Sequence, residues 1–276
     1  LRIHNRPLTE QIAGLLHDAS HTVFSHVADY LFKTGNQHSY QDMIHEWYLE
    51  KMGLGALLAR YNLTIADINP DNPAFEALEQ KHPRLCADRI QYILHTGLVF
   101  NKITKAELNT LVKDLTFKNH AWQFSSEENA QRLAELSAYF TEHFFATPEN
   151  LVWRHWLCSA LKQTIALGLL SSDDIHFSTD TAVLETLHTC KDPHVQKMLE
   201  KCKNAQRHFR TCREDEEHDL IDYAKVRAVD PLVQTTKEDE PKPLTQRCPQ
   251  YRNALHVLKQ KLAPGTRVKL YADCSA

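Results

Sequence analysis

The sequence predicts a mainly α-helical protein with a small C-terminal α+β appendage, and three observations predict it. Long segments rich in Leu, Ala, Glu, Lys and Gln repeat their apolar residues at helical spacing. Only seven glycines occur in 276 residues, so few of these segments are interrupted. Short alternating patterns of the kind that form strands are placed in the region after residue 208. With 42% hydrophobic and 24% charged residues, the chain can bury one large core or a main core with a minor partner.

Taken in order, residues 8–33 carry Ile12, Leu15, Leu16, Val23, Phe24, Val27 and Leu31 at helical spacing, a stripe expected to face the core. The β-branched pair Thr22 and Val23 weakens the middle, so this segment reads as one helix or two short ones. Residues 40–60 continue as helix with a break near Gly53 and Gly55. The stretch NLTIADINPDNPAFEALEQ is rich in Pro, Asn and Asp and reads as a loop leading into a helix at FEALEQ. Residues 83–100 open on Pro83 and run to Gly97, the asymmetry of a helix with an N-terminal Pro and a C-terminal Gly. Further helices are expected over 105–114, 127–145, 148–170 and 180–208, with starts at Pro148 and Pro193 and a cap at Asp173 and Asp174. Beyond 208, REDEEHD and TTKEDEPKPLTQRCPQ read as solvated linkers, AKVRAVDPLV and TRVKLYA as strands, and YRNALHVLKQKL as a helix. The expected division is a helical domain over 1–208 and a small α+β tail with linkers over 209–276.

The formal charge of −3 supplies no global positive field for a phosphate polymer, so nucleic acid is not an expected partner. No apolar run reaches the roughly 18 residues of a membrane span, and no signal-type segment is present; the chain reads as soluble, with no membrane partner. Seven cysteines, an odd number without a CxxC pair, fit a reducing cytoplasmic setting better than a disulfide framework or a zinc ribbon. The first residue is Leu1 rather than Met, so an upstream segment is expected to be missing.

The chemistry concentrates in QIAGLLHDASHTVFSH, residues 11–26, where an apolar stretch suddenly carries His17, Asp18, His21 and His26. Imidazole and carboxylate together suit a borderline or hard divalent ion such as Mn, Fe, Zn or Mg. A lone His-Asp pair is usually a surface or capping accident, and the surrounding pattern is what changes that reading. HDASHTVFSHVAD resembles the HDxxHxxFSHxxD segment of the HD-domain metal-dependent phosphohydrolases, and is particularly similar to the branch containing the deoxynucleoside triphosphate triphosphohydrolases. In DMIHEWYLEK, His45 and Glu46 resemble the family's His-Glu pair; His38 lies nearby in NQHSYQD, and Glu46 favours His45. Asp88 in CADRIQYIL resembles the closing aspartate of a DxxxY motif, with Tyr92 one helical turn on.

The resemblance implies an HD-domain helical bundle in which His17, Asp18 and Asp88 hold a divalent metal ion, together with a first histidine from an upstream helix. His4, only 13 positions before His17 and followed by Asn5, Arg6 and Pro7, does not suit that role. It further implies attack on phosphorus by metal-activated water, in line with a leaving oxygen. His21 and His26 would contact phosphate or protonate the leaving group, Asp29 would orient His26 or hold it protonated, and His45 and Glu46 would join the catalytic set. Arg89, Tyr92 and His95 would bind substrate. The triphosphohydrolase pattern DxxxYxxRD is replaced here by DRIQYILHT, with His95 and Thr96 at its basic and acidic positions, which implies altered recognition. The expected substrate is a small phosphorylated molecule, a nucleotide or related phosphoester or phosphoanhydride. The rival reading is a metal-poor HD scaffold that binds nucleotides or a protein partner; a nuclease is disfavoured by the charge. Relatives in this branch assemble into dimers or rings, so a homo-oligomer is also implied, although no stripe identifies its interface. Trp153 and Trp156 are expected to pack on the next helix, and His143, His155, His188, His194, His208 and His256 to be surface or satisfied core residues.

Overall fold

The computed structural model describes residues 1–32, 39–236 and 240–271; His38 and Cys274 lie outside them. The helices are α1 (Leu8–Leu16), α2 (Val27–Leu31), α3 (Tyr40–Lys51), α4 (Leu54–Ala59), α5 (Ala87–Val99), α6 (Lys105–Asp114), α7 (Glu127–Phe140), α8 (Pro148–Ala166), α9 (Ser172–Phe177), α10 (Asp180–Thr189), α11 (Pro193–Lys203), α12 (Leu244–Arg247) and α13 (Pro249–Leu262). The strands are β1 (Leu115–Lys118), β2 (Ala121–Phe124), β3 (Phe209–Cys212), β4 (Leu220–Asp222), β5 (Leu232–Val233), β6 (Lys242–Pro243) and β7 (Thr266–Leu270). The fold is mainly α with a small β component, as the composition predicts.

Two compact units share the chain, and each is built from three separate segments. The first comprises Leu1–Leu16, Ala66–Ala146 and Tyr223–Pro264. Its core gathers Ile90, Ile93 and Leu94 of α5, Leu133, Ala134 and Phe140 of α7, and Tyr251, Leu255 and Leu258 of α13. A four-stranded sheet of order β1-β2-β5-β6 supplies Trp122, Phe124 and Val233 to the same core. The hairpin β1–β2 was not expected from the sequence. Its two-residue turn places Asn119 at φ 48° and His120 at φ 62°, the left-handed pair that a tight hairpin requires.

The second unit comprises His17–Ile65, Thr147–Asp222 and the chain from Gly265. Here α8 packs on α11 and α2, and Val152, Trp156, Leu161, Leu187, Val195 and Met198 form the core with Val23 and Val27. A second sheet, β3-β7-β4, adds Phe209 and Val268. Trp156 is buried, and Trp153 donates from Nε1 to Cys202 O on α11 at 3.0 Å, so both tryptophans serve packing. Residues 209–276, expected as one appendage, are divided: Phe209–Asp222 and the chain from Gly265 belong to the second unit, and Tyr223–Pro264 to the first.

Several local expectations are corrected. Leu15, placed on the core stripe, is 80% exposed; α1 instead buries Glu10 and Ala13, both at 0%. Residues 75–80 form no helix: 76–78 are turns, and the N–H groups of Ala77 and Leu78 bond to a side chain described below. Gly97 lies inside α5 and does not end it: a Cβ there would come within 3.0 Å of Ile103, so this glycine serves close packing. The anticipated strand AKVRAVDPLV forms ladder bonds only at its end, in β5.

Candidate functional site

The His-Asp motif is not helical. After α1 ends at Leu16, residues 17–26 form successive turns, and α2 starts only at Val27. Phe24 and Ser25 stand at φ 54° and 42°, a left-handed geometry costing about 1–2 kcal/mol for each non-glycine residue. Burial of Val23 and Val27, at 4% and 5% exposure, contributes about 1.5–3 kcal/mol each and offsets that cost. Two further clasps fix the turns: Phe24 N donates to Asp180 Oδ1 (2.8 Å), and Val23 N to Ile175 O (3.0 Å).

Asp18 is the centre of this region. Its Oδ1 accepts from Gln41 Nε2 at 3.0 Å and lies 3.5 Å from His21 Nε2, while Oδ2 lies 3.3 Å from His17 Nε2. The hydrogen bond from His21, working against partial burial and aided by the His17 charge and by Gln41, lowers the Asp18 pKa to about 2. The carboxylate is therefore ionised at neutral pH, and its side chain is still 55% exposed. His21 packs edge-on against His26, with ring centroids 5.3 Å apart. His26 Nδ1 is 3.6 Å from Asp29 Oδ2, and Asp29 Oδ1 accepts from Tyr40 N at 2.7 Å. Burial opposes ionisation of Asp29, but the bonds from His26 and Tyr40 outweigh it and depress its pKa.

Helix α3 grips the motif through residues that its spacing does not advertise. Gln41 Nε2 also donates to His17 O at 3.1 Å. Fully buried Ser20 donates from Oγ to Gln41 O (3.3 Å) and pairs with His45 Nδ1 at 2.9 Å, which makes the imidazole the donor in that second bond. His45 is 6% exposed and bonded to Ser20, whereas Glu46 is exposed. Neither Gln41 nor Ser20 carries a sequence signal that distinguishes it from a surface amide or a helix-breaking hydroxyl.

In the first unit, Asp88 stands in the first turn of α5. Its position is set by a relay from α1. Buried Glu10 accepts at Oε1 from Ala77 N (2.9 Å) and Leu78 N (3.1 Å), and at Oε2 from Arg6 Nε (2.7 Å). The carbonyls of the same two residues then receive Ala87 N at 2.8 Å and Asp88 N at 3.5 Å. A carboxylate oxygen of Asp88, one of Glu79 and Cys86 Sγ lie within 4.8 Å of one another. Burial, with the Glu79 charge, pushes the Cys86 thiol up to about 12, so Cys86 is a protonated packing residue that donates to Glu79 Oε2. Arg89, 8% exposed, donates from Nε to His82 Nε2 (3.2 Å) and from an Nη to Arg84 O (2.9 Å). Tyr92 lies one turn after Asp88 with its hydroxyl buried, and His95 is exposed on α5. His4 packs edge-on against Trp122, 4.7 Å between centroids.

The fold is mainly helical and presents a held His-Asp pair with two further histidines, and the chain is similar to two known sequences. The chain is 30% identical over 228 residues to the uncharacterized protein YdhJ of Bacillus subtilis, covering 82% of this chain and 68% of that one; it belongs to the same family. It is also 25% identical over 250 residues to the metal-dependent phosphohydrolase cns2 of Cordyceps militaris, covering 86% of this chain and 69% of the relative. These similarities support the HD-type phosphohydrolase superfamily for this chain. No family model matches it. Among the described residues no helix is long and apolar enough to cross a membrane.

Proposed function

We propose that this protein hydrolyses a phosphoester or phosphoanhydride of a nucleotide or similar small phosphorylated molecule, using a divalent cation with His17 and Asp18 among its ligands. The observation that carries this reading is Asp18: a partly exposed carboxylate, ionised far below neutral pH, flanked by two imidazoles and locked by Gln41. An imidazole beside a carboxylate is a donor pair suited to Mn, Fe, Zn or Mg. Such a cation, when bound, lowers the pKa of coordinated water and polarises a phosphoryl oxygen.

The chain's own residues supply the rest. Asp29, anchored by Tyr40 N, lies beside His26 Nδ1; in its imidazolium form this half-exposed ring would give the Nε2 proton to the leaving oxygen and be left neutral, with its Nδ1–H facing Asp29. His21 holds Asp18 through Nε2. Ser20 and His45 fix the backbone between these groups, so the turn does not need to reorganise when substrate arrives. Arg89 and Tyr92 offer positive charge and a hydroxyl beside Asp88.

The test is metal content by elemental mass spectrometry on the purified protein and on His17→Ala and Asp18→Ala, paired with a screen for phosphate, pyrophosphate or triphosphate release from nucleotides. Near-stoichiometric metal and turnover that both variants lose are expected. Background metal with tight nucleotide binding and no turnover would overturn the proposal in favour of a binding scaffold.

A further inference from the structure

Within the second unit, α9 reaches the motif region at two consecutive residues. Ile175 O accepts from Val23 N, and His176 Nε2 pairs with the Tyr40 hydroxyl at 2.8 Å. Tyr40 is the first residue of α3, so its backbone N–H has no acceptor inside the helix, and it donates to Asp29 Oδ1 at 2.7 Å. The next residue is Gln41, which donates to the His17 carbonyl and to Asp18 Oδ1. One dipeptide at the start of α3 therefore ties down both carboxylates of the motif, and the hydroxyl of its tyrosine is held by His176.

The surroundings of His176 are those of a packing residue. It is 8% exposed, lies nearly parallel to the Phe32 ring with centroids 5.5 Å apart, and meets Trp47 edge-on at 5.2 Å. Phe32 in turn stacks on Tyr40, 4.3 Å between centroids. A phenyl ring would fill this aromatic box with no polar atom to satisfy, whereas the imidazole brings a buried Nδ1 with no hydrogen-bond partner among the described residues. A buried nitrogen without a partner costs free energy that ring packing alone does not offset. The gain that offsets it lies at the other nitrogen, in the bond to Tyr40.

We propose that His176 is a positioning residue of the motif: it anchors Tyr40, and through Tyr40 N and Gln41 it fixes Asp29 and Asp18. This rests on the reading given above, with Asp18 as a metal ligand and Asp29 as the partner of His26. The first turn of α3 transmits the position as a rigid body, because its N-cap Ser39 also closes it, accepting from Asp42 N at 3.3 Å. Loss of the anchor then loosens both carboxylates together.

The experiment separates the bond from the ring. His176→Phe keeps the stack and loses the bond, His176→Gln places an amide near the Nε2 position and loses the stack, and Tyr40→Phe removes the hydroxyl alone. Each variant of the full chain is titrated with Mn2+ by calorimetry and melted, and its Tyr40 amide proton is followed in 1H–15N spectra. His176→Phe is expected to melt close to the parent, because the lost bond and the removed unpartnered nitrogen offset each other. It is nevertheless expected to bind Mn2+ about 10-fold more weakly, the low end of what losing a hydrogen bond behind a metal ligand costs. His176→Gln is expected to melt lower and to retain more of the affinity. Tyr40→Phe, alone or combined with His176→Phe, is expected to match His176→Phe in affinity, since all three remove the same bond. Affinities that follow the melting temperatures, or losses that add in the double variant, overturn the positioning role and leave His176 a packing residue. The Tyr40 amide proton, bonded to Asp29, is expected to shift upfield in His176→Phe and Tyr40→Phe and to hold its position in His176→Gln. That signature needs no metal. A parent that binds no Mn2+ while the amide shifts as stated defeats the metal reading and upholds the anchoring, and an unmoved amide in His176→Phe defeats the anchoring whatever the Mn2+ affinities.

Discussion

Asp88 and Asp18 are both carboxylates assigned by pattern to one cation, yet the chain holds them by different means. Asp88 opens a regular 13-residue helix, and its backbone N–H meets a carbonyl that Glu10 fixes from the other side. Asp18 sits on a run of turns with two left-handed residues, shaped by Gln41, Ser20, His45, Ile175 and Asp180, all but Ser20 distant in sequence. A ligand on a helix is placed chiefly by local hydrogen bonding and needs one clamp. A ligand on turns needs several, and every clamp is a point at which the site can be loosened without touching a ligand.

The largest effect is expected at the single clamp. Glu10→Ala leaves Ala77 N and Arg6 without their partner and Leu78 N with only the Phe75 carbonyl, and should cost about 3–5 kcal/mol of stability in urea unfolding. Glu10→Gln keeps an acceptor for both N–H groups and should lose markedly less; equal losses in the two variants would show that the relay does not act through those bonds.

Loosening the turns comes next. Gln41→Ala frees both the His17 carbonyl and Asp18 Oδ1, and metal affinity should drop about 10- to 100-fold while the fold persists. A Gln41→Ala protein that binds metal like the parent would place the control of Asp18 elsewhere, in His21 first.

Glycine substitutions should separate the two regions by sign. Ser25→Gly relieves a left-handed residue and should be neutral or stabilising by up to about 1 kcal/mol. Gln91→Gly, on the exposed side of α5, should destabilise by about 1 kcal/mol. Thermal melts that move both in the same direction would break the contrast.

The smallest effect is the pH dependence of Asp18, whose exposed side chain is screened by solvent. Its folded pKa, about 2, lies below the ordinary 3.8, so its contribution to stability is complete above about pH 4 and is lost as pH falls toward 2. Asp18→Asn should flatten that part of the acid-unfolding profile, and a profile identical to the parent's would show that the His21 and Gln41 bonds contribute nothing to the fold.

Much of this was legible in the sequence. Helices over 105–114 and from Pro148 and Pro193 follow from caps and periodicity, and α6, α8 and α11 begin there. The helix start expected at Asp173 and Asp174 is there, but its N-cap is Ser171, with Asp174 completing the capping box. The His-Asp pattern suggests a metal chemistry because its residue types and spacing are carried by the chain itself. What the sequence could not carry was the conformation of that pattern: read as helix, residues 17–26 are turns, because Val23 and Val27 are drawn into a core built by α8, α10 and α11.

Composition and spacing by themselves therefore determined a mainly helical protein, and the proposal of metal donors at positions 17, 18 and 88 rests on residue type and pattern, since local propensity acts within a few positions. Only the tertiary structure decided which polar residues support those donors. Glu10, Ser20 and Gln41 look ordinary in sequence and acquire their roles from partners 21 to 68 positions away. His176 is a further case: nothing in the sequence marks it, and Tyr40, 136 positions away, meets it only on folding, because the second unit draws on segments far apart in the chain.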